Sequence, residues 1–183
     1  MTTEAPDFEV DDAIVLLLGS NAKGETPGEI RGITRLEKLV FLLDKESAAS
    51  SHFTEDPDFE PFNFGPFSKK VYQAVDTLVA AGLLQDSAQL STSTDDTWEE
   101  ERVIGVDSSF TQYSTRNFRL TTLGHEYLDV LKDELPKEVI VSAVQLRERF
   151  AGWPLRALVR YVYQKYEGYT GKSLIRDEIL GGS

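Results

Sequence analysis

Two histidines, His52 and His125, are the natural first candidates for acid-base or metal chemistry in this 183-residue chain. They stand 73 positions apart with no partner at ligand spacing, so they read as ordinary surface or capping side chains. Carboxylates cluster at Glu55, Asp56, Asp58 and Glu60, and again at Asp95, Asp96, Glu99, Glu100 and Glu101. Neither cluster has the glycine and ligand spacing of a calcium loop, and both read as solvated acidic loops. Gly24, Gly28 and Gly32 lack the preceding strand and the G-K-[ST] that a phosphate-cradling loop needs. No serine lies in G-x-S-x-G, and the absence of cysteine removes thiolate nucleophiles, disulfides and Cys-ligated zinc. The expectation is a non-enzyme with no catalytic, metal or cofactor residues.

Binding chemistry has more to work with. Nineteen basic residues stand against 31 acidic ones, and the net charge of −12 repels phosphate backbones unless positive charge is sharply localised. Two sets of side chains could localise it. Lys69, Lys70, Gln73 and Thr77 fall on the outer face of a helix that could enter a DNA major groove. The neighbouring segment carries five acidic residues between 95 and 101, which opposes that use, and generic DNA binding is not expected. The second set is Arg156, Arg160 and Tyr163 at i, i+4, i+7, with Lys165 and Arg149 near them. Residues 136 to 183 hold 8 basic and 5 acidic groups, whereas residues 1 to 100 hold 7 and 20. Arginine and tyrosine anchor protein interfaces, so this face is a candidate contact with a protein partner. Pairing of the same arginines with the chain's own acidic loops is an equal alternative.

The elements that would position these residues follow from hydrophobic period and caps. Val10, Ile14, Leu17 and Leu18 predict a first helix closed by Gly19. Thr34 to Glu37 matches a capping box, opening a second helix over 35 to 46 on Leu36, Leu39, Val40 and Leu43. Residues 47 to 61 predict an acidic loop. Ser68 is a ready N-cap for a third helix carrying Val71, Tyr72, Val75, Leu78 and Val79, with Gly82 as its left-handed end. Leu83 and Leu84, then Val103, Ile104 and Val106, then Phe118 and Leu120 predict strands around a long hairpin, the wing. Thr121 or Thr122 caps a helix of Leu123, Tyr127, Leu128 and Leu131. Pro136 and Pro154 open two further helices, expected to form a hairpin packed on the core. The predicted fold is mainly α with a small antiparallel β wing: a winged-helix core over 1–135 and a C-terminal helical extension over 136–183. An acidic start and no long apolar run predict a cytoplasmic chain.

The phrase FNFGPFSKKVYQAVDTLVAAGLL over 62 to 84 is similar to the recurring phrase of YwgA-like proteins and of the Panacea (SocA-like antitoxin) domains. ITRLEKLVFLLDK resembles their second helix, LTTLGHEYL their post-wing helix, and YVYQKYEGYTGKSLI the end of the YwgA-like group. The resemblance covers roughly 30 to 134 plus 155 to 175. It implies a non-enzymatic winged helix whose relatives include antitoxins and a proteolytic adaptor, with Gly65-Pro66, Tyr72 and Val75 as framework positions. The expected function is protein binding, antitoxin-like or adaptor-like, toward a basic toxin or a second copy of the chain. The alternative is a DNA-binding transcriptional regulator using the third helix.

Overall fold

The computed structural model describes residues 4–20, 23–62, 65–91, 113–173 and 176–181. Its elements in chain order are α1 (Val10–Gly19), β1 (Glu29–Arg31), α2 (Ile33–Glu46), a 3₁₀ turn (Ala48–His52), β2 (Glu60–Phe62), β3 (Gly65–Phe67), α3 (Lys69–Ala80), β4 (Leu84–Ser91), β5 (Tyr113–Leu120), α4 (Thr122–Glu134), α5 (Lys137–Arg149) and α6 (Leu155–Lys165). A second 3₁₀ turn (Glu167–Tyr169) and the short α7 (Arg176–Gly181) follow. The fold is mainly helical with a small antiparallel sheet, as expected. None of the helices among the described residues is long and apolar enough to cross a membrane.

Strands β4 and β5 pair directly, Leu84 opposite Leu120, and β1 adds to the far side of β5 with Ile30 opposite Phe118. The expected strand at Val103, Ile104 and Val106 and the acidic residues 95 to 101 lie outside the described residues. β1 itself escaped the sequence because a three-residue strand is too short to show alternation. The loop expected over 47 to 61 contains the first 3₁₀ turn and ends in β2, which pairs with β3 so that Pro61 faces Pro66. Proline lacks the ladder donor, and a two-stranded ribbon is a place that tolerates it.

Helix α2 is the hub. Every residue from Leu36 to Asp44 is buried, because α1, α5, α6 and the first 3₁₀ turn all pack on it. The two helices of the extension share α2 as their support: α5 also rests on α1, and α6 on β3 and α7. Leu36, Leu39, Val40, Leu43, Val71, Val75, Leu78 and Leu128 belong to one buried cluster, whereas Tyr72 is half-buried on Phe67 and Val79 is exposed.

Three local expectations need correction. Gly19 is not a left-handed cap; a Cβ there would lie 2.2 Å from Leu128, so the residue lets α4 approach α1. Thr34 and Glu37 form no capping box: α2 starts two residues earlier, after Gly32, and Glu37 points into the core. Ser68 precedes α3, but its hydroxyl donates to the Pro57 carbonyl at 2.5 Å instead of capping. Thr121 does cap, accepting from the Gly124 amide at 3.0 Å.

Gly65 shows how tightly the extension is fitted. Its φ is +86°, and a Cβ would sit 2.5 Å from the Tyr163 ring of α6. Gly82, at φ +75°, has open space around it. Gly65→Ala is expected to cost more than about 2 kcal/mol, backbone strain plus overpacking, whereas Gly82→Ala should cost about 1 kcal/mol from strain alone. Equal losses in urea unfolding would show that the Tyr163 ring does not restrict position 65.

Candidate functional site

Helix α3 is one of two elements that the sequence offers for contact with other molecules, the alternative DNA-binding one, and it is held from beneath by charge. Glu37 and Lys38 are adjacent on α2 and buried, Lys38 completely. Lys38 Nζ lies 3.2 Å from Glu37 Oε2 and donates to the Pro66 carbonyl at 2.8 Å. Glu37 Oε1 accepts from the Ser68 amide at 3.0 Å. Burial pushes the Glu37 carboxyl up, while Lys38 and the Ser68 amide pull it down without fully offsetting burial. These partners fix the residues on either side of Phe67, and so set where α3 begins.

The outer face of α3 is bordered on one flank by a groove of about 240 Å³ lined by Glu9, Asp11, Glu55, Lys70, Gln73 and Thr77. The acidic loop reaches it because Thr54 and Phe8 are stitched together: the Phe8 amide donates to Thr54 Oγ1 and the Thr54 amide to the Phe8 carbonyl, both at 2.9 Å. Lys70 is spent inside the chain. It lies 2.8 Å from Asp58 Oδ2 and 3.5 Å from Glu55 Oε2, and donates to the Asp56 carbonyl at 2.6 Å. Burial and then the neighbouring Asp11, Asp12, Glu55 and Asp7 raise the Glu9 carboxyl; burial and then Asp12 raise that of Asp11. Carboxylates crowded this way favour an incoming cation.

Along the other flank run three aromatic rings. Phe62 of β2 lies 4.9 Å from Phe67, which lies 5.2 Å from Tyr72 on α3, and Phe62 is 44 % exposed. Between the flanks Lys69, Gln73, Asp76 and Thr77 are exposed, with Thr77 Oγ1 turned back to the Gln73 carbonyl. Of the candidate DNA contacts, then, Lys69, Gln73 and Thr77 are on the surface, and Lys70 is neutralised by carboxylates.

The candidate protein contacts on α6 separate. Arg156 is exposed and Arg160 half-buried, but Tyr163 is fully buried, its hydroxyl 2.7 Å from Ser173 Oγ, and burial pushes that phenol up to about 12. The expectation that Tyr163 flanks the arginines at the surface is therefore overturned: β3 and α7 pack on α6 and enclose it. Lys165 and Arg149 turn to Glu46 at the end of α2, at 2.9 and 2.8 Å. Tyr161 and Tyr166 also donate to that carboxylate, at 3.0 and 2.8 Å. Sequence reading missed Glu46 because its partners are more than 100 positions away. His52 meets Glu138, and His125 packs near Gly28. Among the described residues no three side chains of metal-ligating type converge. No protein-family model and no curated protein matches the chain.

Two measurements test this wiring. Lys38→Met leaves Glu37 buried without its cation and is expected to cost about 3–5 kcal/mol in chemical unfolding. Burial alone would raise the Glu46 carboxyl, but hydrogen bonds from Lys165, Tyr166 and Tyr161 outweigh it and hold it below its ordinary value. That stabilisation is complete above the unfolded pKa of about 4.3 and is lost as pH falls through the lower folded value. Glu46→Gln should cost about 1–3 kcal/mol at neutral pH, with the gap to wild type closing in acid; a gap independent of pH would refute the assignment.

Proposed function

We propose that this chain is a non-catalytic, cytoplasmic binding module of winged-helix type, antitoxin-like or adaptor-like, which captures a basic protein on the outer face of α3. The observation that carries the reading is the pairing of two unlike flanks on one helix. The groove of Glu9, Asp11 and Glu55 offers carboxylates crowded enough to gain from a cation, while Phe62, Phe67 and Tyr72 offer an aromatic ledge. Interfaces commonly combine aromatic anchors that supply affinity with charges that steer encounter.

The order α1, β1, α2, α3, β4, β5, with sheet order β1-β5-β4, supports a winged-helix core to which the β2-β3 hairpin is an addition. The similarity of residues 62 to 84 to YwgA-like and Panacea phrases supports the same class of role. Use of α3 on DNA is disfavoured by the carboxylates that neutralise Lys70 and border the groove. A small toxin with a basic, partly apolar surface is a partner of fitting chemistry.

Affinity capture from the source cells tests this, using wild type, a bait carrying Glu9→Lys, Asp11→Lys and Glu55→Lys, and a Phe62→Ala bait. A basic partner should be retained by wild type, released by salt, and weakened at least about tenfold by either variant, with melting temperatures nearly unchanged. Retention by the charge-reversed bait would overturn the assignment. Tight duplex DNA binding near physiological salt, lost on Lys69→Glu and Lys70→Glu, would transfer the helix to a regulator.

A further inference from the structure

A larger cleft, of about 620 Å³, has no α3 residue in its lining and is walled by the 23–26 loop, β1, the first turn of α2, Arg147 of α5 and the turn between α5 and α6. Its charge is the reverse of the chain's. Four cations, Lys23, Arg31, Arg35 and Arg147, line it against two carboxylates, Glu25 and Glu29. Glu29 is already matched from outside the cleft by Arg119, at 2.8 Å. Hydrogen bonds from Arg119 and Arg31 override burial and hold the Glu29 carboxyl low.

The floor of the cleft has an anion in place already. Arg147 is 3 % exposed, donates to the Ser20 and Glu29 carbonyls at 3.1 and 3.2 Å, and directs Nη2 at Glu25 Oε2, 2.7 Å away. That oxygen is buried yet makes no hydrogen bond of ordinary geometry. A protein-borne carboxylate thus sits on the deepest guanidinium and Arg31 is shared with Glu29 at 3.2 Å, yet the four cations of the lining still exceed its two carboxylates by two charges. Arg35 Nη1 donates to the Trp153 carbonyl at 2.8 Å, which ties a cation to the position of the one aromatic ring on the wall.

We propose that this cleft binds the phosphate monoester of a small ring-bearing molecule, a ligand of the nucleoside monophosphate class. A phosphate monoester carries close to two negative charges at neutral pH and matches the excess of cations, which a single carboxylate does not. Guanidinium groups suit it because they present paired donors to tetrahedral oxyanions. The volume lies in the range of small-molecule sites and exceeds what phosphate alone fills. Trp153, beside Ala151 and Pro154, gives a ring an apolar surface to rest on. A free small molecule is favoured over a nucleic-acid end because the net charge of −12 repels an extended polyanion.

The chain has two tryptophans, Trp98 and Trp153, so Trp98→Phe leaves Trp153 as the sole indole reporter. Fluorescence of that variant is titrated with adenosine and guanosine monophosphates, adenosine, inorganic phosphate and a 5′-phosphorylated hexanucleotide, with calorimetry on the wild type. A mononucleotide should saturate the signal with a Kd below about 1 mM, with nucleoside and inorganic phosphate each at least about tenfold weaker. Arg31→Gln with Arg35→Gln should weaken it by at least about tenfold; Arg31→Gln alone, at a side chain 61 % exposed, should weaken it with only a small drop in melting temperature, because Arg119 still holds Glu29. Absence of saturable binding by both methods, or affinity unmoved by the arginine variants, would overturn the site. Inorganic phosphate binding as tightly as the nucleotide would overturn the ring subsite, and a tighter hexanucleotide would overturn the free-ligand reading.

Discussion

A helix covered on every side has to justify each polar atom it carries, and α2 carries Glu37 and Lys38 side by side at its buried centre. Unpaired, either charge would strongly destabilise the region. Paired, they still have hydrogen-bonding capacity left over, and the chain supplies it from the Ser68 amide and the Pro66 carbonyl. The β2-β3 hairpin and the start of α3 are therefore placed by the needs of two buried ions. Replacing the pair with leucines would remove the desolvation penalty, but would also leave a buried amide and a buried carbonyl without partners.

Charge is distributed over this molecule in a similarly local way. Among the described residues, one acidic loop is pulled against α1 by hydrogen bonds, and Lys70 of α3 is drawn into it. Three basic residues of the C-terminal third divide between an internal task, Arg149 and Lys165 on Glu46, and the wall of a cleft, Arg147 with Arg31 and Arg35 of the first half. Net charge alone thus says what the chain repels over long distance, and little about what one concavity attracts.

The helices were legible because their signals are short-ranged: apolar period, a Thr121 cap, prolines at two helix starts and Gly82 after α3. Glu37 misled for the same reason. Three residues after a threonine it matches a local cap, and only burial by α1, α5 and α6 makes the inward rotamer the better one. Tyr163 misled because i, i+4, i+7 places it with Arg156 and Arg160 on a helix surface, and nothing nearby in sequence announces that β3 and α7 will cover it. Glu46, the α3 groove and the basic cleft are assembled from segments far apart in the chain, and no window of sequence contains them.

Tyr163 rests against Gly65, and Gly65 pairs with Phe62 across the hairpin. The part of the chain that looks like an appendage is thereby the mould against which an exposed aromatic ledge is cast. A recombination breakpoint near residue 135 would join a foreign tail to a hairpin shaped for this one, and would at the same stroke strip α2 of two of the helices that bury it. The two segments are heritable only together, so sequence drift in α6 should be paced by the hairpin as well as by α2.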